Sequence, residues 1–497
     1  MEAVEFSRLN LLVLVVYLSA LVWIGLRLAG KQRSTEDFFL GGRRMPWLAV
    51  GVSMFASLTS ASSFLGVPGV AFRENISMVV LGLVSPLVAP LLILIFYPFY
   101  RQLQVTTAYE YVDLRYGRWA RLCVAGLFCL ARMGWLGVVI YSPALALSVM
   151  TGIGLYPAIF LMGIIATAYA TAGGLSAVIW TDVLQFSLLA GGALWVALSL
   201  IEGVPGGVAQ IMAVAGETAR LDVWQWQLNW FEMTALGAAL SYLFQLMQDY
   251  GTDQVSVQRL LSVRDARGMA KAAILNSLID LVLMNVLLFV GLGLFAYFQS
   301  FPERLAEGVT GDRILAYYMI HALPDGVSGL LITAILAAAM SSLDSGINSL
   351  SSVIMNDFIK PFRRRAVSSR SEVKLARTLT LVLGVFAIGA ACYTVRIGEI
   401  LKAASAFLSL FGGPVLSLFL LGMLTRRAHF RGWVLGTLPS LAISVWLQNW
   451  TEVHFIHYFP IAFGVSFGLG YLASHLTAGP RAKPELTLWG RPPMSLE

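Results

Sequence analysis

The sequence predicts an all-α polytopic membrane protein of about thirteen transmembrane helices, with two sets of five helices related as an inverted repeat. Three observations predict this class. The first is composition: of 497 residues, 58% are hydrophobic and 12% charged, against roughly 25% charged in soluble domains. The second is a series of apolar runs long enough to cross a bilayer, about 20 residues each. The third is that two of these runs are interrupted at membrane depth by polar residues, glycine and proline.

The apolar runs fall near 10–30, 46–72, 77–99, 120–150, 155–173, 176–203, 231–258, 268–299, 325–358, 373–396, 400–424, 431–449 and 456–476. The first lacks a basic leader and a small-residue cleavage site, so it reads as a retained helix and not as a signal peptide. An odd number of crossings puts the termini on opposite sides. Most of the 34 Lys and Arg residues then cluster on alternate loops, such as Arg27 to Arg44, Arg101 to Arg121, Arg259 to Lys271 and Lys360 to Arg377. This division predicts an outer N-terminus and a cytoplasmic C-terminus in a cell membrane. It also explains the net charge of +7 without nucleic acid. The inner stretch TTAYEYVDLRYGR (106–118) reads as a short interfacial helix.

The three cysteines, Cys123, Cys129 and Cys392, have no CxxC or Cys/His spacing, so neither a disulfide framework nor a cysteine metal site is indicated. Five histidines and no nucleophile–base pair leave an enzyme without support, and a tail of about 20 residues is too short for a signalling domain that would make the chain a membrane sensor.

The interrupted runs carry the functional reading. The second reads ASLTSASSFLGVPG (56–69) and the seventh FQLMQDYGTDQ (244–254). Irregular backbone at membrane depth is tolerated where it lines a cavity or is buried in protein. Two such segments, each opening a set of five helices, are the pattern of a secondary transporter with its site at the bilayer midplane.

A third feature lies in the ninth run, AAAMSSLDSGINS (337–349). On a helix of 3.6 residues per turn, Ala338, Ser341, Ser345 and Asn348 share one stripe, flanked by Ser342 and Asp344. A hard monovalent cation such as sodium takes about five or six oxygens, which freed carbonyls, serine hydroxyls and a carboxylate supply. Arg132, Asp182, Asp249, Asp280 and Asp344 each cost about 2.5–3.5 kcal/mol at the centre of a lipid-facing helix, so each must be paired or hydrated. Arg132 is expected to pair with Asp249 or Asp280, or to attract an anionic substrate.

The runs YATAGGLSAVIWTDVLQFSLLAGG (169–192) and DQVSVQRLLSVRD (253–265) resemble the signature and seventh-helix segment of the sodium:solute symporter family. FLGVPGVAFR (64–73), VIYSPALALS (139–148) and NDFIKPFRRR (356–365) are most similar to its animal branch carrying monocarboxylates, biotin, pantothenate and iodide. The resemblance implies a LeuT-like five-plus-five fold. Residues 1–45 would hold an extra N-terminal helix and the first inner loop, 46–203 the first repeat, 204–230 an outer loop, 231–424 the second repeat, 425–476 two C-terminal helices and 477–497 a cytoplasmic tail.

The resemblance also implies a main sodium site of the Ala56, Thr59 and Ala338 carbonyls with the Ser341 and Ser342 hydroxyls. Some members, bacterial sialic acid transporters among them, have a second sodium site. It maps onto Asp182, Ser341, Asp344 and Ser345, with Asp344 standing where those transporters carry serine, so that the second ion is either sodium or a proton. Where they place an arginine for the substrate carboxylate, this chain has Trp135, and Leu58, Ser63 and Gly82 stand where sugar carriers are polar. The expected substrate is therefore a small carboxylate or vitamin-like organic anion, with a sugar or an amino acid as the alternative, lined by Ser60, Ser63, Trp135, Gln245, Asp249 and Gln254. A monomer would suffice for transport.

Overall fold

The structure is a computed structural model that describes residues 7–490 apart from 31, 225, 310, 312, 364–367, 398–399 and 481. Lys31, Arg364, Arg365, Arg481 and Arg491, which contributed to the charge division between loops, lie outside the described residues. Among the described residues the chain is helical, with no strand beyond a single parallel bridge between Met45 and Val263.

The helices are α1 (Arg8–Leu28), α2 (Thr35–Leu40), α3 (Trp47–Leu58), α4 (Ala61–Arg73), α5 (Val79–Ile95), α6 (Tyr97–Leu103), α7 (Ala108–Tyr116), α8 (Arg118–Thr151), α9 (Leu155–Gly203) and α10 (Gly207–Glu217). They continue as α11 (Ala235–Gly251), α12 (Gln254–Leu261), α13 (Ala266–Ser300), α14 (Arg313–His321), α15 (Val327–Val353), α16 (Ser369–Ile397), α17 (Ile400–Leu424), α18 (Phe430–Trp450) and α19 (Tyr458–Leu476). Among the described residues, nine helical spans are long and apolar enough to cross a membrane by length and composition, and α3 with the 63–73 stretch of α4 adds a tenth as a pair bent by 62°.

Each apolar run read from the sequence overlaps one or two of these helices. The runs 155–173 and 176–203 are joined in α9, whose 49 residues far exceed the roughly 20 that one crossing needs. The chain turns within it at Gly174 (φ 58°, ψ −155°), a conformation side chains rarely adopt, and a Cβ there would lie 2.5 Å from the Phe38 carbonyl oxygen. The stretch expected to form an interfacial helix contains α7.

The distribution of side chains is inverted relative to a soluble protein. Leu12, Val16 and Leu26 of α1 are exposed, as are Leu87 and Leu94 of α5, whereas Ser341, Asp344, Asn348, Ser349 and Ser351 of α15 are buried. Lipid solvates the apolar rim, so the polar groups gather inside, where they can bond to one another. The central helix is α15: its apolar window is 94% buried, against 28% for α1, and it packs on α1, α3, α4, α8, α9 and α16.

Both interruptions are present. The first helix of the broken pair, α3, stops at Leu58; Thr59 and Ser60 are extended, and α4 restarts at Ala61. Farther along, α11 stops at Gly251 and α12 restarts at Gln254, with the Asp253 carboxylate accepting from Val255 N at 2.8 Å as its N-cap.

Candidate functional site

A helix end leaves its last carbonyls without intrahelical donors, so the break after Leu58 frees backbone oxygens in the protein interior. The polar stripe of α15 meets them. The hydroxyl of Ser341 donates to the carbonyl oxygens of Ala56 (2.8 Å) and Ala338 (2.9 Å). That of Ser342 reaches the Thr59 carbonyl at 3.5 Å and the Ala338 carbonyl at 3.4 Å. The three carbonyls and two hydroxyls named from the sequence thus form one hydrogen-bonded group, and they are oxygens of the kind a hard monovalent cation takes.

One turn farther along α15 the structure differs from expectation. Asp182 on α9 does not stand open beside Asp344 and Ser345 for a second cation: the guanidinium of Arg259 on α12 reaches between them. Its Nη2 donates to Asp182 Oδ2 at 3.0 Å and to Ser345 Oγ, and its Nε donates to Ser53 Oγ at 2.8 Å. Ser53 in turn donates to Asp182 at 2.5 Å. Arg259 is 1% exposed, and the sequence reading that placed it among inner-loop charges is corrected. A guanidinium is buried at such a position because the carboxylate and hydroxyls satisfy its fork of donors. Asp344 is held separately, accepting from the Tyr169 hydroxyl at 2.5 Å and from Ser345 Oγ at 3.1 Å. Among the described residues no group of three or more His, Cys, Asp or Glu could hold a metal ion.

Beside the α3–α4 break lies a cavity of about 210 Å³ between α3, α4, α5, α11 and α13. Its polar lining is Thr59, Ser63, Gln245, Asp249, Tyr250 and Asp280, set among apolar walls that include Phe55, Met284 and Leu287. Of the expected substrate-lining residues, Ser63, Gln245 and Asp249 are on this wall and Ser60, Trp135 and Gln254 are not. Gln254 belongs to α12, beyond the break, and is fully buried there. Its side chain accepts from Ala108 N at 2.9 Å and donates to the Thr106 carbonyl at 3.2 Å, tying the second break to the start of α7. The sequence suggested Asp249 or Asp280 as the partner of Arg132; its Nη2 instead donates to Asp253 Oδ2 at 2.7 Å. Asp280 accepts from Ser85 Oγ at 2.7 Å and from the Tyr250 hydroxyl at 3.0 Å.

The model of the "Sodium:solute symporter family" matches residues 38–439. The chain belongs to this family. The symporter is 31% identical over 477 residues to the sodium/sialic acid symporter NanT of Aliivibrio fischeri, spanning 95% of this chain and 94% of that one. It is 32% identical over 430 residues to sodium-coupled monocarboxylate transporter 1 of Homo sapiens, spanning 86% and 70%. Among solved structures, it superposes with a TM-score of 0.90 and 29% identity on a substrate-bound, outward-open Na⁺-coupled sialic acid symporter, covering 96% of this chain and 100% of that one. The closed form of Mhp1, a nucleobase–cation symporter, shares the fold at a TM-score of 0.55 and 14% identity. The symporter is therefore a multi-span membrane transporter of LeuT-like fold that uses sodium and takes a small-molecule substrate; it is not an enzyme.

Proposed function

We propose that the chain imports a small organic solute together with sodium by alternating access, with residues 46–203 and 231–424 as its two inverted repeats, thirteen crossings in all and the C-terminus cytoplasmic. The carrying observation is the junction of the first broken helix with α15, where Ser341 and Ser342 donate to the Ala56, Thr59 and Ala338 carbonyls. In this reading those five oxygens hold the coupling sodium ion. The ion ties the break to the central helix in the outward-facing state, and by favouring that state it favours solute binding. When the inner side opens, ion and solute leave together. The membrane potential adds about 2.3 kcal/mol per charge per 100 mV to accumulation.

One sodium ion accompanies each cycle. At the second position the chain carries its own cation: the Arg259 guanidinium already compensates Asp182 and occupies Ser345. A carboxylate or vitamin-like anion as substrate draws its support from relatives, among them the human monocarboxylate transporter and the rabbit multivitamin transporter. The sialic acid reading draws on NanT. The cavity has Ser63, Gln245 and Asp249 to meet a polar solute and Leu58 and Phe55 to cover its apolar part. The test is uptake into proteoliposomes from a panel of monocarboxylates, vitamins, sugars and amino acids. At least one solute accumulates under an inward sodium gradient and fails to do so when potassium replaces sodium; uptake indifferent to that exchange removes the symport reading.

A further inference from the structure

The charges in and around the cavity do not balance. Asp249 and Asp280 both line it, and none of the lining residues is Lys, Arg or His. Asp280 receives two hydrogen bonds, both from neutral hydroxyls. Asp249, half-buried on α11, receives none from the described residues. The guanidinium that could have served an anion, Arg132, is already committed to Asp253. A carboxylate at membrane depth persists when it is paired or faces a hydrated path; the one guanidinium near Asp249 is bonded to Asp253, so that further compensating charge comes from whatever enters. A carboxylate solute would instead add a negative charge beside the two lining carboxylates, offset by the sodium ion near Thr59 and by Arg132, which Asp253 already engages. The cavity, of about 210 Å³, has the size for a small solute.

We infer that the solute carried with sodium bears a protonated amine, which Asp249 receives directly with Asp280 as the second acceptor. This deepens the symporter reading and rests on it. An ammonium group has three donors and no acceptor. It therefore suits two carboxylates on facing helices, α11 and α13, better than a hydroxyl-rich sugar, which needs donors as well as acceptors around it. The apolar faces of Phe55, Leu58 and Met284 would cover a short carbon skeleton. The break supplies the link to sodium: Thr59 lines the cavity with its side of the chain and offers its carbonyl to Ser342 on the other, so solute and ion meet at one residue.

The test uses the full chain in proteoliposomes and follows entry of radioactive sodium when pools of small organic amines and amino acids, small carboxylates, or neutral polyols are added outside, together with uptake of labelled amines with sodium or potassium outside. Amines accelerate sodium entry. Asp249→Asn raises the amine concentration needed for half-stimulation about tenfold or more, as loss of a charge-assisted hydrogen bond implies, and Asp249→Glu retains most of the response. Sodium-dependent thermal stabilisation without solute, unchanged in both variants, separates this from misfolding. Stimulation by carboxylates or polyols but not by amines, by none of the pools, or an Asp249→Asn variant with the parent's amine response, overturns the inference while leaving sodium binding intact. Amine uptake that ignores sodium would instead remove the symport reading and keep the solute class.

Discussion

Replacing Ser342 with alanine separates the ion-binding role of a hydroxyl from its part in holding the fold. The Ser342 hydroxyl lies 3.5 Å from the Thr59 carbonyl and 3.4 Å from the Ala338 carbonyl, at the outer limit of hydrogen bonding. Losing two such long contacts should cost the fold less than about 1 kcal/mol. An oxygen facing a cation is worth more, about 1.5–3 kcal/mol by analogy with hydrogen bonds to charged groups. At 1.4 kcal/mol per factor of ten, sodium half-activation should rise by about one to two orders of magnitude, so uptake collapses at sodium concentrations that saturate the parent. The assay is a sodium titration of solute uptake alongside sodium-dependent melting in detergent, because an ion that binds only the folded state raises the melting temperature as its concentration exceeds its dissociation constant. Ser341→Ala should weaken sodium activation too, but with a larger loss of stability, since it removes contacts of 2.8 and 2.9 Å. A Ser342→Ala protein of normal stability with unchanged sodium activation would refute the site.

Three further outcomes follow from the interior. Arg259→Gln strands Asp182, and breaking a buried ion pair costs about 3–5 kcal/mol; thermal unfolding should show a large loss that Asp182→Asn in the same chain partly restores, whereas an equal loss in single and double variants would argue against the pair. Gly174→Ala forces a Cβ toward the Phe38 carbonyl at a positive φ, a strain of order 1–3 kcal/mol, and an unchanged melting temperature would contradict the turn within α9. Asp344→Asn should leave the shape of the sodium activation curve as it is, non-cooperative in both proteins; cooperative activation that disappears in the variant would mean a second coupling ion at Asp344.

Much of this interior is legible in the chain before folding. The apolar runs mark the helices because a bilayer requires backbone bonds to close within each segment, and the polar stripe of 337–349 marks the central helix. The breaks at 56–69 and 244–254 are legible as polar and flexible residues where lipid would reject them. What escapes is pairing across the fold. Arg259 lies close to Arg264 and Arg267 in sequence and reads as one more loop charge. Only its helix, α12, restarted by the Asp253 cap, carries it to Asp182, 77 residues away. The available signal was the need of a buried Asp182 for a partner. Arg132 shows the same limit: Asp249 and Asp280 are plausible partners by depth, but the pair formed is with Asp253 at the second break. Gln254 has the polarity of a cavity residue and instead serves the backbone of residues 106–108.

The central claim is that the coupling sodium ion sits where the first broken helix meets α15. High-resolution maps of the full chain in sodium and in potassium alone test it most directly. The expected result is a density peak enclosed by the Ala56, Thr59 and Ala338 carbonyls and the Ser341 and Ser342 hydroxyls in sodium and its loss in potassium. A sodium-dependent peak beside Asp182 and Asp344, with none at the break, would contradict it.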